Sequence, residues 1–336
     1  MKKLLQINTT VGRTAPGVIA AAIGRLAEAN DWESHIAYGR PSSVDRVDPC
    51  NNLYRIGSPF SIALHGMSSR FFDNHGCNSR GATKDLLKYI EHLGPDLVHL
   101  HNIHGYYLNY RLLFDFLRGA GIPVVWTLHD VWPITGHCAF FNQKNCIRWR
   151  MGCHDCPSKR SYPASLWRDH SPENYETKRR CFTGVPRMQL TAVSGWLKNT
   201  IEESFLGDYP VDVIYNGINV SNHVEHTRSR RSPLLLGVAY KWVDLKGLDD
   251  FGRLRAALPS GFRIRLVGLT QKQIKKLPRG IEGVERIDDP EKLMRLYAQA
   301  SVLVNLSHGE TFGMVNIEAQ NCGTPVICYN VGGAPE

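Results

Sequence analysis

The chain has 336 residues, 43% apolar and 21% charged, close to ordinary globular usage and unlike a disordered, collagenous or coiled-coil chain. At roughly 150 residues per domain, this length fits two domains. Forty Lys and Arg against 31 Asp and Glu give +9, a basic balance that suits nucleic acid, an anionic membrane face or a phosphorylated substrate without choosing among them.

The opening MKKLLQINTT has only Leu4, Leu5 and Ile7 as an apolar stretch. That is too short for a signal peptide or a span, and no run approaches the ~18 apolar residues of a membrane helix. A soluble, cytoplasmic protein is expected. Nine cysteines, an odd count, argue against a disulfide framework.

Strand-length apolar runs alternate with helical stretches from the start. Residues 4–7 read as a strand, followed by a turn at 12–17 and a helix over 18–29 with Ile19, Ile23 and Leu26 on one face. Further strands are read at 34–38, 97–100, 123–128, 190–193 and 211–215, and helices at 83–93, 110–120 and 195–205. A polar stretch after Ile218, with Arg228, Arg230 and Arg231, has neither period. Residues 223–232 are read as a linker between a domain at 1–222 and one at 233–336. In the second, strands are read at 234–239, 263–267, 284–287, 302–306 and 325–329, and helices at 247–258, 290–300 and 314–321. Such alternation implies parallel sheets with helices on both faces. Two Rossmann-like doubly wound α/β domains are therefore expected, facing a cleft, with ligands at the C-terminal strand ends.

The last thirty residues, SHGETFGMVNIEAQNCGTPVICYNVGGAPE, carry the most chemistry. Glu310 precedes and Glu318 lies inside a helix opened by Gly313, so both carboxylates can face one cavity; ordinary surface glutamates are the alternative. Thr311, Phe312 and Gly313 precede a helix N-terminus, where free N–H groups and the macrodipole favour a phosphate. The pattern runs through Ser307, Glu310, Phe312, Gly313, Glu318, Ala319, Gly323, Pro325, Val326 and Ile327, then Gly332, Gly333, Pro335 and Glu336. It resembles the family-4 retaining glycosyltransferases, which have the GT-B fold. The resemblance implies that Glu310 contacts a donor sugar and that Glu318 binds the ribose hydroxyls of a UDP- or GDP-linked sugar. It also implies that 331–334 approaches the donor closely.

Lys241 and Lys246, five apart after the first strand of the second domain, match the family's cation pair that neutralises the diphosphate; two solvated lysines are the alternative. Trp242 before Lys246 and Gly247 resembles the subgroup that builds bacterial surface polysaccharides. His129 ends a first-domain strand where the family places a histidine against the transferred sugar. His99, His101 and His104 end the preceding strand and are read as a wall of the acceptor pocket, with no carboxylate or cysteine nearby to complete a metal set. The first turn departs from the family's glycine-rich loop. It offers only Gly12 and Gly17, with Pro16 suited to the first position of a helix.

An insertion at 136–187 holds Cys138, Cys146, Cys153 and Cys156. Four thiols including one Cys-x-x-Cys suffice for a structural zinc; a disulfide pair or unlinked thiols are the alternatives. From Lys144 to Arg187, ten Lys and Arg stand against four Asp and Glu, with Trp149, Tyr162, Trp167 and Tyr175 interleaved. Such a segment suits RNA, an anionic membrane face or a solvated helix. A transferase using a lipid-linked acceptor favours the membrane, at its inner face, and no nucleic acid.

The resemblance thus implies an enzyme moving a sugar from a nucleotide diphosphate to a hydroxyl of a glycan or lipid-linked sugar, with retention, in exopolysaccharide or other surface-glycan synthesis. Glu310, His129 and Lys246 are the expected catalytic residues. Lys241, Lys246 and helix-terminal amides, in place of a divalent metal, would stabilise the leaving diphosphate. A sugar-nucleotide epimerase of the same fold and a basic zinc- or RNA-binding protein are the alternatives. Family members continue past the Gly-Gly-x-Pro-Glu motif. A second domain of 233–336 is therefore expected to be incomplete, and the chain to be a fragment of low or absent activity.

Overall fold

A computed structural model describes residues 1–12, 14–40, 52–141, 144–218 and 232–336; the linker expected at 223–232 lies, Ser232 apart, outside the described residues. The chain divides into two compact units, Met1–Tyr215 and Asn216–Glu336.

The first unit contains, in order, β1 (Lys2–Asn8), α1 (Thr14–Glu28), β2 (Trp32–Tyr38), β3 (Asn52–Arg55), α2 (Pro59–Phe72), α3 (Arg80–Leu93) and β4 (Leu97–Leu100). It continues with α4 (Tyr110–Ala120), β5 (Val124–Leu128), α5 (Ser171–Phe182), β6 (Met188–Ala192), α6 (Gly195–Glu202) and β7 (Val211–Val213). The strands form one sheet in the order β3-β2-β1-β4-β5-β6-β7, all parallel. A parallel sheet is covered on both faces, so its inner strands need not alternate. Accordingly, β1 is buried without interruption from Leu4 to Asn8.

Helix ends follow local chemistry. The Asn109 side chain accepts a hydrogen bond from Leu112 N to start α4, and Gly121, at φ 66°, ends it. α1 begins at Thr14, so Pro16 sits inside the first turn and not at its first position. Its buried face is also not the one expected. Gly17, Ala20, Ala21 and Gly24 face inward, and Leu26 is exposed. The reason is close approach, because a Cβ on Gly17 would crowd Thr10 Oγ1 at 2.7 Å. Small residues, not branched ones, fit against the end of β1.

The second unit contains β8 (Leu234–Val238), α7 (Leu248–Ala257), β9 (Arg263–Val267), α8 (Gln271–Ile274), β10 (Ile281–Val284), α9 (Pro290–Gln299), β11 (Val302–Asn305), α10 (Met314–Asn321) and β12 (Val326–Cys328). Its sheet, β10-β9-β8-β11-β12, is also wholly parallel. The third strand falls at 281–284 and not at 284–287, because its register places Ile281 beside Ile264 and Val284 beside Val267. One face of the sheet packs Phe251 and Trp242 against Leu235, Ile264 and Leu266; the other packs Tyr297 and Ala319 against Leu236 and Leu303.

Both sheets share one strand order up to the fifth strand. In each, the order reverses between the first and fourth strands, β1/β4 and β8/β11. That reversal leaves a crevice at the carboxyl ends of those two strands, where open α/β sheets bind ligands.

Candidate functional site

At the β8/β11 switch point of the second unit, two loops lie against each other. The loop after β8 ends in a tight turn at Asp244–Lys246. Trp242 anchors it from below, buried and donating from Nε1 to Val267 O at 2.9 Å. His308 N and Ser307 Oγ both donate to Leu245 O, at 2.8 and 3.3 Å, fastening the loop after β11 to that turn. Gly247, at φ 67°, passes so close to Leu306 O that no side chain fits. These ties set Lys246 against Glu310, with Nζ 2.6 Å from Oε2 and both side chains partly buried. Lys241, at the start of the loop, is exposed.

Gly313, at φ 89°, stands at the N-cap of α10 with no capping side chain, as expected of a helix opened by glycine. Phe312 is half-buried beside it. On α10, Glu318 Oε2 accepts from the Tyr297 hydroxyl at 2.7 Å. Burial raises the Glu318 carboxyl above the usual range, and the Tyr297 hydrogen bond offsets this only in part. The two glutamates therefore have separate partners, a cation for Glu310 and a phenol for Glu318. The glycine-rich turn folds back on the motif itself. Gly333 N donates to Glu310 O at 3.1 Å, and a Cβ on Gly332 would fall on that same oxygen.

Several supporting residues escaped the sequence reading. Asn316 donates to Ala334 O at 3.1 Å and accepts from Asn305 Nδ2 at 3.0 Å, so it clamps the loops after β11 and β12 together. Asp250 pairs with His308 Nε2 at 2.7 Å and with Arg253 at 2.7 Å. No motif marks them. An Asn two residues inside a helix is legible only once its neighbours are placed.

In the first unit, the ends of β4 and β5 carry an ordered hydrogen-bond chain. Gln6 Nε2 donates to Ala20 O at 2.8 Å, which leaves Gln6 Oε1 to accept from His101 Nε2 at 3.1 Å. His101 Nδ1 then accepts from His129 Nε2 at 3.1 Å. The tautomer of His129 is thereby set by Gln6, two residues away along the chain of bonds. Burial, the largest influence on each ring, pushes His99 and His129 down to about 4 and His101 well below its ordinary value. All three rings are neutral at pH 7. Beside them, His104 Nε2 lies 2.7 Å from Asp130 Oδ2. Burial would raise the Asp130 carboxyl, but His104 and the Trp132 N–H hold it below the usual carboxylate range.

The 136–187 insertion is fastened by buried polar groups, one of them on its helix α5. Lys178 on α5 donates to Trp132 O and Thr135 O at 2.7 and 2.9 Å, and lies 3.5 Å from the Trp132 ring. Asp73 accepts from His137 Nδ1 at 2.6 Å and from His170 N at 2.9 Å. The four cysteines are unlinked. Cys153 Sγ accepts from Gly136 N at 3.1 Å, and a hydrogen bond from Cys138 draws the Cys156 thiol down to about 7. Among the described residues, no three His, Cys, Asp or Glu side chains are set out to share a metal ion.

Two parallel sheets of matching strand order, with an ion-paired lysine and glutamate at the switch point of the second, give a GT-B architecture. Solved structures agree. Sucrose-phosphate synthase from Thermosynechococcus elongatus superposes with a TM-score of 0.69 at 16% identity, over 99% of this chain and 82% of that one. Anabaena HepE in complex with UDP and glucose superposes at 0.62 with 15% identity, over 100% and 82%. The colanic acid biosynthesis glycosyl transferase WcaC of Escherichia coli (strain K12) is 26% identical, over 99% of this chain and 84% of its own length. Residues 19–222 match the model of Glycosyltransferase Family 4, and residues 239–336 that of Glycosyl transferases group 1. The chain belongs to glycosyltransferase family 4.

Proposed function

We propose that this chain moves a sugar from a nucleoside diphosphate to a hydroxyl of a glycan or lipid-linked sugar, with retention at the anomeric carbon, in the synthesis of an exopolysaccharide or other surface glycan. The Lys246–Glu310 pair at the β8/β11 switch point carries this reading, since it sets a cation and an acceptor carboxylate where such sheets bind ligands. In the reaction, Lys246 and Lys241 offset the negative charge growing on the departing diphosphate, in the role a divalent ion plays elsewhere. The first-turn N–H groups of α10, opened by Phe312 and Gly313, bind phosphate oxygens. Glu318 accepts the ribose hydroxyls, and Glu310 faces the donor sugar. His129, neutral at pH 7, is the first unit's group for the transferred sugar. The likeness to WcaC supports a surface-glycan product, and the HepE complex with UDP favours uridine over guanosine.

Calorimetric titration with UDP and with GDP tests the assignment. Glu318→Ala is expected to weaken the preferred nucleotide by about 1.5–3 kcal/mol, the value of a charge-assisted hydrogen bond. Glu310→Gln should keep nucleotide affinity and lower sugar transfer. Equal UDP and GDP affinities in wild type and Glu318→Ala would remove Glu318 from the site.

A further inference from the structure

Helix α2 is amphipathic in the wrong sense for a globular protein. Phe60, Leu64, Met67 and Phe71 recur at helical spacing, so they form one stripe. Such a stripe ordinarily faces the core. Here it faces solvent, with Phe60 72%, Leu64 45%, Met67 55% and Phe71 38% exposed, while the polar residues His65 and Ser69 are buried beneath. A second segment widens the face. Leu166 N donates to Arg70 O at 2.9 Å, and Trp167, 70% exposed, lies with its ring 5.2 Å from that of Phe71.

The two segments that build this face carry charge of one sign. Residues 58–72 and 157–168 contain Arg70, Lys159, Arg160 and Arg168 and no Asp or Glu. Lys159 Nζ donates to Trp167 O at 3.3 Å, and the Arg168 guanidinium lies 5.5 Å from the Phe72 ring. The cations thus stand beside the apolar stripe, held by the same contacts that build it. Of the other aromatics in the basic insertion, Trp149 is buried against Phe141, Tyr175 is half-buried, and Tyr162, 44% exposed, turns its hydroxyl to His104 Nδ1 at 3.0 Å.

We propose that α2 and the Leu166–Arg168 segment form a docking face for an anionic lipid bilayer. The apolar stripe enters the boundary between headgroups and acyl chains, Trp167 sits at headgroup level, and the cations meet anionic headgroups. A protein partner would need carboxylates to match four cations; a bilayer supplies a continuous anionic plane above an apolar layer. The inference stands on this surface alone and not on the proposed reaction.

Flotation of the whole chain with vesicles tests it. Wild type is expected to bind vesicles of phosphatidylglycerol and phosphatidylcholine in equal parts, to bind pure phosphatidylcholine weakly, and to release as salt rises. Leu64→Ser with Met67→Ser should lower partitioning about tenfold or more. Arg70→Gln with Arg168→Gln should lose the preference for phosphatidylglycerol. Leu26→Ser, at an exposed apolar site on α1, should bind like wild type. All these positions are exposed, so melting temperatures should hold. Absence of wild-type binding would overturn the proposal, as would a Leu64→Ser and Met67→Ser variant that binds undiminished. A wild-type dimer that this variant converts to monomer, without vesicle binding, would assign the face to a second copy of the chain.

Discussion

Gly247 and Gly332 hold the loops around Lys246 and Glu310 at separations that no other residue permits. Both have positive φ, 67° and 61°, where a Cβ clashes with the following carbonyl, and both lie against a backbone oxygen, of Leu306 and of Glu310. The family resemblance implies that the glycines of 331–334 admit a donor. At Gly332 the close neighbour is Glu310 itself, so the glycine first serves the geometry of a site residue. Gly247→Ala is accordingly expected to destabilise the chain by about 2 kcal/mol or more, the sum of a left-handed penalty and a displaced loop. Its urea midpoint should fall. An unchanged midpoint would mean that the loop yields without cost and that the ties from Ser307 and His308 do not fix Lys246.

At the scale of elements, periodicity identified helices but not the direction they face. In α1 the stripe of Ile19, Ile23 and Leu26 is not the buried face. Helix α2, absent from the sequence reading, turns its apolar stripe outward. For α1 the decisive contact is with Thr10, in the loop after β1. The buried histidines give a pH prediction. Burial depresses His65, His99 and His129 from 6.5 to about 4, and holds His75 and His101 well below 6.5. An unfolded chain binds protons on these rings below pH 6.5, and the folded chain does not until near pH 4. Stability is therefore lost as pH falls through this window, at up to about 1.4 kcal/mol per pH unit for each ring. His137 acts oppositely: burial would lower it, but Asp73 holds it above its ordinary value. The melting temperature is expected to fall steeply from pH 6.5 to 4.5. A flat profile would show that these rings are charged in the folded chain.

For the whole molecule, two compact units, each with its own buried apolar residues, predict more than one melting transition. A nucleotide held by the second unit should raise the transition of that unit, by roughly 2.7 kcal/mol at 100 times its dissociation constant. Scanning calorimetry with and without UDP checks this. If every transition moves equally, nucleotide binding is coupled to the first unit as well.

The sequence by itself determined the class of fold. Alternating strands and helices leave a covalent trace in composition and period, and the helices 110–120 and 314–321 and the strands 97–100 and 263–267 agree with the structure to the residue. It also determined which chemistry is available, because Lys246, Glu310 and Glu318 stand at a recognisable spacing. Tertiary structure alone decided the partners. Tyr297 reaches Glu318 from 21 residues away and Gln6 reaches His101 from 95. Such pairs depend on strand order and crossover, which no local pattern encodes. The outward face of α2 was hidden for a related reason. Hydrophobic period fixes a stripe on a helix, whereas the rest of the fold decides whether core or solvent lies opposite it.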